Sequence, residues 1–80
     1  MLGAYLRDAR VNAGLTQEQL AHAARLDRTY ISMLERDLRS PTLEVFFDLC
    51  HALDLKPSTL VGRIEGEYKP KSRRSRRRSK

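Results

Sequence analysis

Eighty residues, 40% of them hydrophobic, suffice for one small core and are expected to fold as one domain. So short a chain leaves little material for an enclosed catalytic cleft, which disfavours an enzyme and puts function on the surface. The formal charge of +6 is uneven: residues 1–68 carry eight basic and ten acidic side chains, residues 69–80 eight basic and no acidic ones.

From Leu2 to Ala13, Leu2, Leu6, Ala9 and Ala13 recur at helical spacing, and Gly14 stands where a left-handed cap ends a helix. Thr16-Gln17-Glu18-Gln19 has the capping-box form and predicts a second helix over about 17–24, with Leu20, Ala21 and Ala24 apolar. After Arg25-Leu26, the Asp27 carboxylate is placed to cap a third helix that turns Ile31 and Leu34 inward and ends near Arg36. Ser40-Pro41-Thr42 signals the start of a fourth helix with the apolar stripe Leu43, Phe46, Leu49, Cys50 and Leu53. Pro57 opens a fifth, in which Leu60, Val61 and Ile64 recur at three- and four-residue spacing, ending near Gly66. No segment reads as a strand. The expected organisation is an all-α domain over 1–66 and a basic tail over 67–80, in which dense like charge and the lack of apolar residues predict disorder in isolation.

The single cysteine, Cys50, excludes an internal disulfide and points to a reducing cytoplasm. No apolar run approaches the length of a membrane span, and Arg7, Asp8 and Arg10 interrupt any leader-like segment. His22, His51 and Cys50 lack the spacing of a zinc set, so no metal or cofactor is expected. Cys50 reads as a small buried apolar residue, and Phe46 and Phe47 as core and dimer-contact residues rather than a platform for stacking bases.

Residues 15–43, LTQEQLAHAARLDRTYISMLERDLRSPTL, resemble the helix-turn-helix of the Cro and repressor family, the XRE-type regulators of bacteria and phages. The likeness rests on the Thr16-Gln17 opening of one helix, the Leu20-Ala21 pair, the Tyr30-Ile31-Ser32 centre of the next and the Leu34-Glu35-Arg36 end. It extends over about residues 4–64 and implies a five-helix, lambda-repressor-like domain. The LDRTYIS stretch also resembles the controller proteins of restriction-modification systems.

That resemblance implies a partner, double-stranded DNA, with the second helix of the pair in the major groove and the first across the backbone. With Ile31 and Leu34 inward, Thr29, Ser32, Met33 and Arg36 turn outward and Arg28 and Tyr30 flank them. Arg28, Thr29, Ser32 and Met33 are therefore the candidate base readers: arginine for a guanine edge, hydroxyls as donors or acceptors, and Met33 or the Thr29 methyl for a thymine methyl. Thr16, Gln17, Tyr30, Arg36 and Arg39 are the candidate phosphate contacts. The resemblance makes Arg10 and Glu35 a structural ion pair, departs from the family at Asp37, where glycine is usual, and implies a homodimer, for which Leu60, Val61 and Ile64 are the candidate interface.

The expected function is a sequence-specific regulator of transcription on a near-palindromic operator, with the tail adding nonspecific attraction to phosphates. A protein-interaction module, such as an antitoxin that docks a toxin, stays open at this point. A hydrolase or transferase lacks both a nucleophile-base pair and a phosphate loop.

Overall fold

The computed structural model describes residues 1–70, so most of the basic tail lies outside the described residues. Five helices follow in order: α1 (Leu2–Asn12), α2 (Gln17–Ala24), α3 (Arg28–Glu35), α4 (Leu43–Ala52) and α5 (Pro57–Glu67). There is no strand among the described residues. The sequence-expected boundaries hold to within one or two residues.

The main core draws on the first four helices: Leu6 and Ala9 of α1, Leu20, Ala21 and Ala24 of α2, Ile31 and Leu34 of α3, and Leu49 of α4, with Leu53 just after it. A second cluster joins Phe46 and Cys50 of α4 to Leu60 of α5, with Leu2, Tyr5 and Ile64 packed around it. Each fully buried leucine or isoleucine contributes about 1.5–3 kcal/mol, so these clusters fix how α2 and α3 sit on the scaffold.

The ends of α1 to α4 share one device. Gly14, Arg25, Asp37 and Asp54 all adopt positive φ, between 56° and 75°. A leucine follows each, and its N–H returns to the carbonyl five residues back: Leu15 to Arg10, Leu26 to Ala21, Leu38 to Met33 and Leu55 to Cys50. This is the closure in which a left-handed residue satisfies the last carbonyls and the next residue folds back onto the helix. Leu15, Leu26 and Leu55 pack against the core, whereas Leu38 is left 60% exposed.

At the starts of the helices the sequence reading is corrected in places. The capping box at Thr16 forms, with Gln19 N–H donating to the threonine hydroxyl and Thr16 N–H to the Gln19 side chain. Thr42 caps α4 through Val45 N–H at 3.1 Å, which leaves Pro41 outside the helix rather than in its first turn. Asp27 holds the N-cap position of α3, but its side chain makes no cap hydrogen bond. Ala13 and Leu43, expected inward, are exposed, each lying at the very end of its helix beyond the packed turns. Of the two phenylalanines, Phe46 is in the core and Phe47 faces solvent.

Candidate nucleic-acid interface

Glu35 is the hub of the paired helices. Its side chain is only 3% exposed, and it accepts from Arg10 Nε at 2.6 Å and Arg10 Nη2 at 3.1 Å, a two-pronged pair between α1 and the end of α3. The second arm of the same guanidinium donates from Nη1 to the Leu15 carbonyl at 2.9 Å. Arg10 thus uses its fork to join α1, the α1–α2 turn and α3, which a lysine, with a single ammonium, would not do.

The network continues outward. Gln17 Nε2 donates to Glu35 Oε1 at 3.1 Å, and Gln17 Oε1 accepts from Arg28 Nη1 at 3.4 Å. The first side chain of α2 is therefore clamped between the buried carboxylate and the first side chain of α3. Gln17, Thr16, Arg10 and Arg28 share one open groove at the surface. The capping box uses the amides of Thr16 and Gln19, and those of Gln17 and Glu18 point out of the helix end, where the helix dipole favours an anion.

Along α3, Ile31 and Leu34 are fully buried, Arg28 and Thr29 are exposed, and Ser32 and Met33 are half-buried at the surface. The four candidate base readers thus lie away from the buried Ile31 and Leu34, two of them exposed and two half-buried. Arg36 is exposed just past the last turn, its Nε near the Ser32 carbonyl at 3.4 Å. The Arg39 guanidinium lies 5.6 Å from the centre of the Tyr30 ring, a cation–π geometry that brings two candidate phosphate contacts together on one flank.

The departure from the family at Asp37 has a structural counterpart that the sequence did not reveal. Asp37 takes positive φ, and its carboxylate accepts from Gly3 N–H at 2.8 Å and faces the amine of Met1 at 2.7 Å. These two contacts, the amine first and Gly3 N–H second, hold the Asp37 carboxyl below the usual carboxylate range. Gly3 itself is buried against the end of α3: a Cβ there would stand 2.3 Å from the Glu35 carbonyl oxygen. Nothing in a linear pattern marks a glycine in the first turn of α1 as a contact for residues more than thirty positions away.

The proposed dimer residues separate. Leu60 is fully buried against Phe46 and Cys50 and has no surface to offer, which corrects its assignment to an interface. Val61 is 49% exposed and Ile64 half-buried; with Leu43 and Phe46 they line an apolar groove of 570 Å³ that reaches Pro41 and Arg39. Burial pushes the Cys50 thiol up, away from reactive thiolate. Among the described residues no three His, Cys, Asp or Glu side chains gather as metal ligands, and no helix is long and apolar enough to cross a membrane.

The helix-turn-helix family profile matches residues 6–71. The immunity repressor protein of Bacillus phage phi105 is 36% identical over 61 residues, 76% of this chain and 42% of that protein. The chain spans about half the length of the curated relatives it matches. Among solved structures, the restriction-modification controller protein C.AhdI of Aeromonas hydrophila is 41% identical with a TM-score of 0.72, over 74% of this chain and 89% of that one. The controller protein C.Esp1396I, solved as a tetramer in complex with its natural 35 base-pair operator, is 30% identical with a TM-score of 0.75, over 82% of this chain and 87% of that one. Likeness in sequence and in structure covers most of the chain, the pair α2 and α3 included, and the chain belongs to the Cro/repressor, or XRE-type, helix-turn-helix family.

Proposed function

We infer that this chain is a regulator of transcription that binds double-stranded DNA sequence-specifically, as a homodimer on a near-palindromic operator. The observation that carries the reading is the open face of α3. Its inner side is fixed in the core by Ile31 and Leu34, and Arg28, Thr29, Ser32 and Met33 are left exposed or half-exposed on the other side. A helix of eight residues, held at both ends and bare on one side, matches what a major groove admits.

Within this reading Arg28 reads a base edge and the start of α2 takes a phosphate. Gln17 sits between the two and aligns them through Glu35. Tyr30, Arg36 and Arg39 take phosphates on the far flank. The likeness to a phage repressor and to a controller protein solved on its operator supports the same assignment.

Two or three base-reading side chains supply only part of the discrimination a regulator needs, and two copies on half-sites about one helical turn apart supply the rest. Val61 and Ile64, beside Leu43, form the apolar surface for that pairing. Selection of bound duplexes from a random pool tests the reading. A near-palindromic motif is expected, and recovery without any motif contradicts it.

A further inference from the structure

Three arginines of this interface are held in different ways, and the holder decides what each has left to give. Arg10 spends its fork on the fold: Nε and Nη2 donate to Glu35 and Nη1 to the Leu15 carbonyl. Arg28 donates from Nη1 to Gln17 at 3.4 Å. Arg39 rests against a ring, its guanidinium carbon 5.6 Å from the centre of the Tyr30 side chain. Among the described residues no carboxylate pairs with Arg39. An aromatic face attracts a cation without neutralising it, so Arg39 is held in place and keeps its positive charge for an anion.

Both sides of that contact are fixed from below. Tyr30 is half-buried and packs against the core that holds Ile31 and Leu34. Arg39 leaves a turn anchored just before it, where the Asp37 carboxylate accepts from Gly3 N–H at 2.8 Å and Leu38 N–H closes on the Met33 carbonyl at 2.9 Å. Shortly after it, Thr42 caps α4. An exposed arginine gives up rotamer freedom when it grips a phosphate. One already laid against a fixed ring gives up less, because part of the ordering precedes the ligand.

Resting on the reading of α3 as the major-groove helix and of Arg39 as a phosphate contact, we propose that Tyr30 is a positioning residue for Arg39, its ring holding the guanidinium in the orientation in which it meets the backbone of the bound duplex. The role belongs to the ring and is separate from a phosphate contact by the Tyr30 hydroxyl. Ring and guanidinium act as a unit that deepens affinity without choosing sequence, because phosphate contacts carry no base information.

A double-mutant cycle in affinity for the duplex selected by the full chain tests this, with circular dichroism checking that each variant is folded. Arg39→Ala is made in the parent, in Tyr30→Phe, which keeps the ring and loses the hydroxyl, and in Tyr30→Leu, which stays apolar and loses the ring. The expected result is the same loss of affinity for Arg39→Ala in the parent and in Tyr30→Phe. In Tyr30→Leu the loss is smaller by about 2- to 5-fold, the equivalent of the attraction between an exposed cation and an aromatic face. A second readout needs no DNA: in the free protein the ring current of Tyr30 is expected to move the side-chain proton resonances of Arg39 away from their random-coil positions, in Tyr30→Phe as in the parent. An equal loss in all three backgrounds, a loss already reduced in Tyr30→Phe, a loss that grows in Tyr30→Leu, or random-coil resonances for Arg39 overturns the positioning role and leaves the regulator intact. Absence of a discrete operator from the full chain overturns both.

Discussion

Asp37 accepts a hydrogen bond from the backbone N–H of Gly3 at 2.8 Å, joining the turn after α3 to the first turn of α1. Like Arg25 and Asp54, Asp37 is held at positive φ, where glycine is less strained. Unlike them, it repays that strain with a contact across the fold. Arg25→Gly and Asp54→Gly are therefore expected to stabilise the domain, by up to about 1 kcal/mol each, while Asp37→Gly is neutral or destabilising. Denaturant unfolding of the three variants checks this, and a clear gain at Asp37 contradicts the role of its carboxylate.

The same carboxylate gives the fold a pH dependence of known sign. Its pKa is lowered in the folded state by the Met1 amine and Gly3 N–H, so its stabilisation is present above the unfolded value and lost as pH falls through the folded one. The side chain is 45% exposed and solvent screens it, so the effect is about 1 kcal/mol or less. Asp37→Asn is expected to be less stable than the parent at neutral pH and to converge on it only as pH falls below the ordinary carboxylate value of about 4 and through the lowered folded one, as thermal melts across that range would show.

Gly3 and Gly62 make opposite predictions for the same substitution. Alanine at Gly3 drives a Cβ into the Glu35 carbonyl, a backbone atom that gives way only if α1 moves off α3. A loss of about 1–3 kcal/mol is expected. Alanine at Gly62, inside α5 with open space around it, is expected to gain about 0.5–1 kcal/mol from helix propensity and a less flexible unfolded chain. Unfolding midpoints in urea order the two variants on either side of the parent.

The five helices could be read from the sequence because their signals are local: the spacing of Leu20, Ala21 and Ala24, the Thr16–Gln19 box and the prolines at 41 and 57. What could not be read depends on contacts between distant segments. A glycine announces a left-handed helix end, as Gly14 does; at Asp37 the family's usual glycine hints at it, but Arg25 and Asp54 serve the same purpose with little sign except the leucine that follows each. The stripe Leu60, Val61 and Ile64 has one period and two destinations, since Leu60 turns into the core under Phe46 and Val61 turns out. The spacing shows an amphipathic helix without saying where its buried edge stops. Arg10, Glu35 and Gln17 were legible through the family resemblance, whereas the hydrogen bond from Gln17 to Glu35 needs coordinates.

Removing either half of the Arg10–Glu35 pair leaves a charge with little solvent, and a loss of about 3–5 kcal/mol is expected. Arg10→Met together with Glu35→Met is expected to recover part of that loss, because no buried charge remains. A double-mutant cycle read by chemical unfolding measures the coupling, and additive losses contradict a shared network.

Val61→Glu places a charge at the half-exposed position beside Ile64 and leaves the core residue Leu60 untouched. It is expected to shift a dimer to monomer in sedimentation at micromolar concentration, with helical content preserved. A variant that sediments as the parent dimer removes this face from the pairing surface.

We infer that α3 reads bases and that Arg28, set against Gln17 at the start of α2, is its principal reader. Selection of duplexes from a random pool at about 150 mM salt, run in parallel with the parent and Arg28→Ala, tests it most directly. The expected result is a near-palindromic motif in which the variant loses preference at one symmetric base pair, equivalent to about 1–3 kcal/mol per contact, and keeps the rest. An unchanged motif in the variant, or no motif from either protein, contradicts the assignment of α3 as the reading helix.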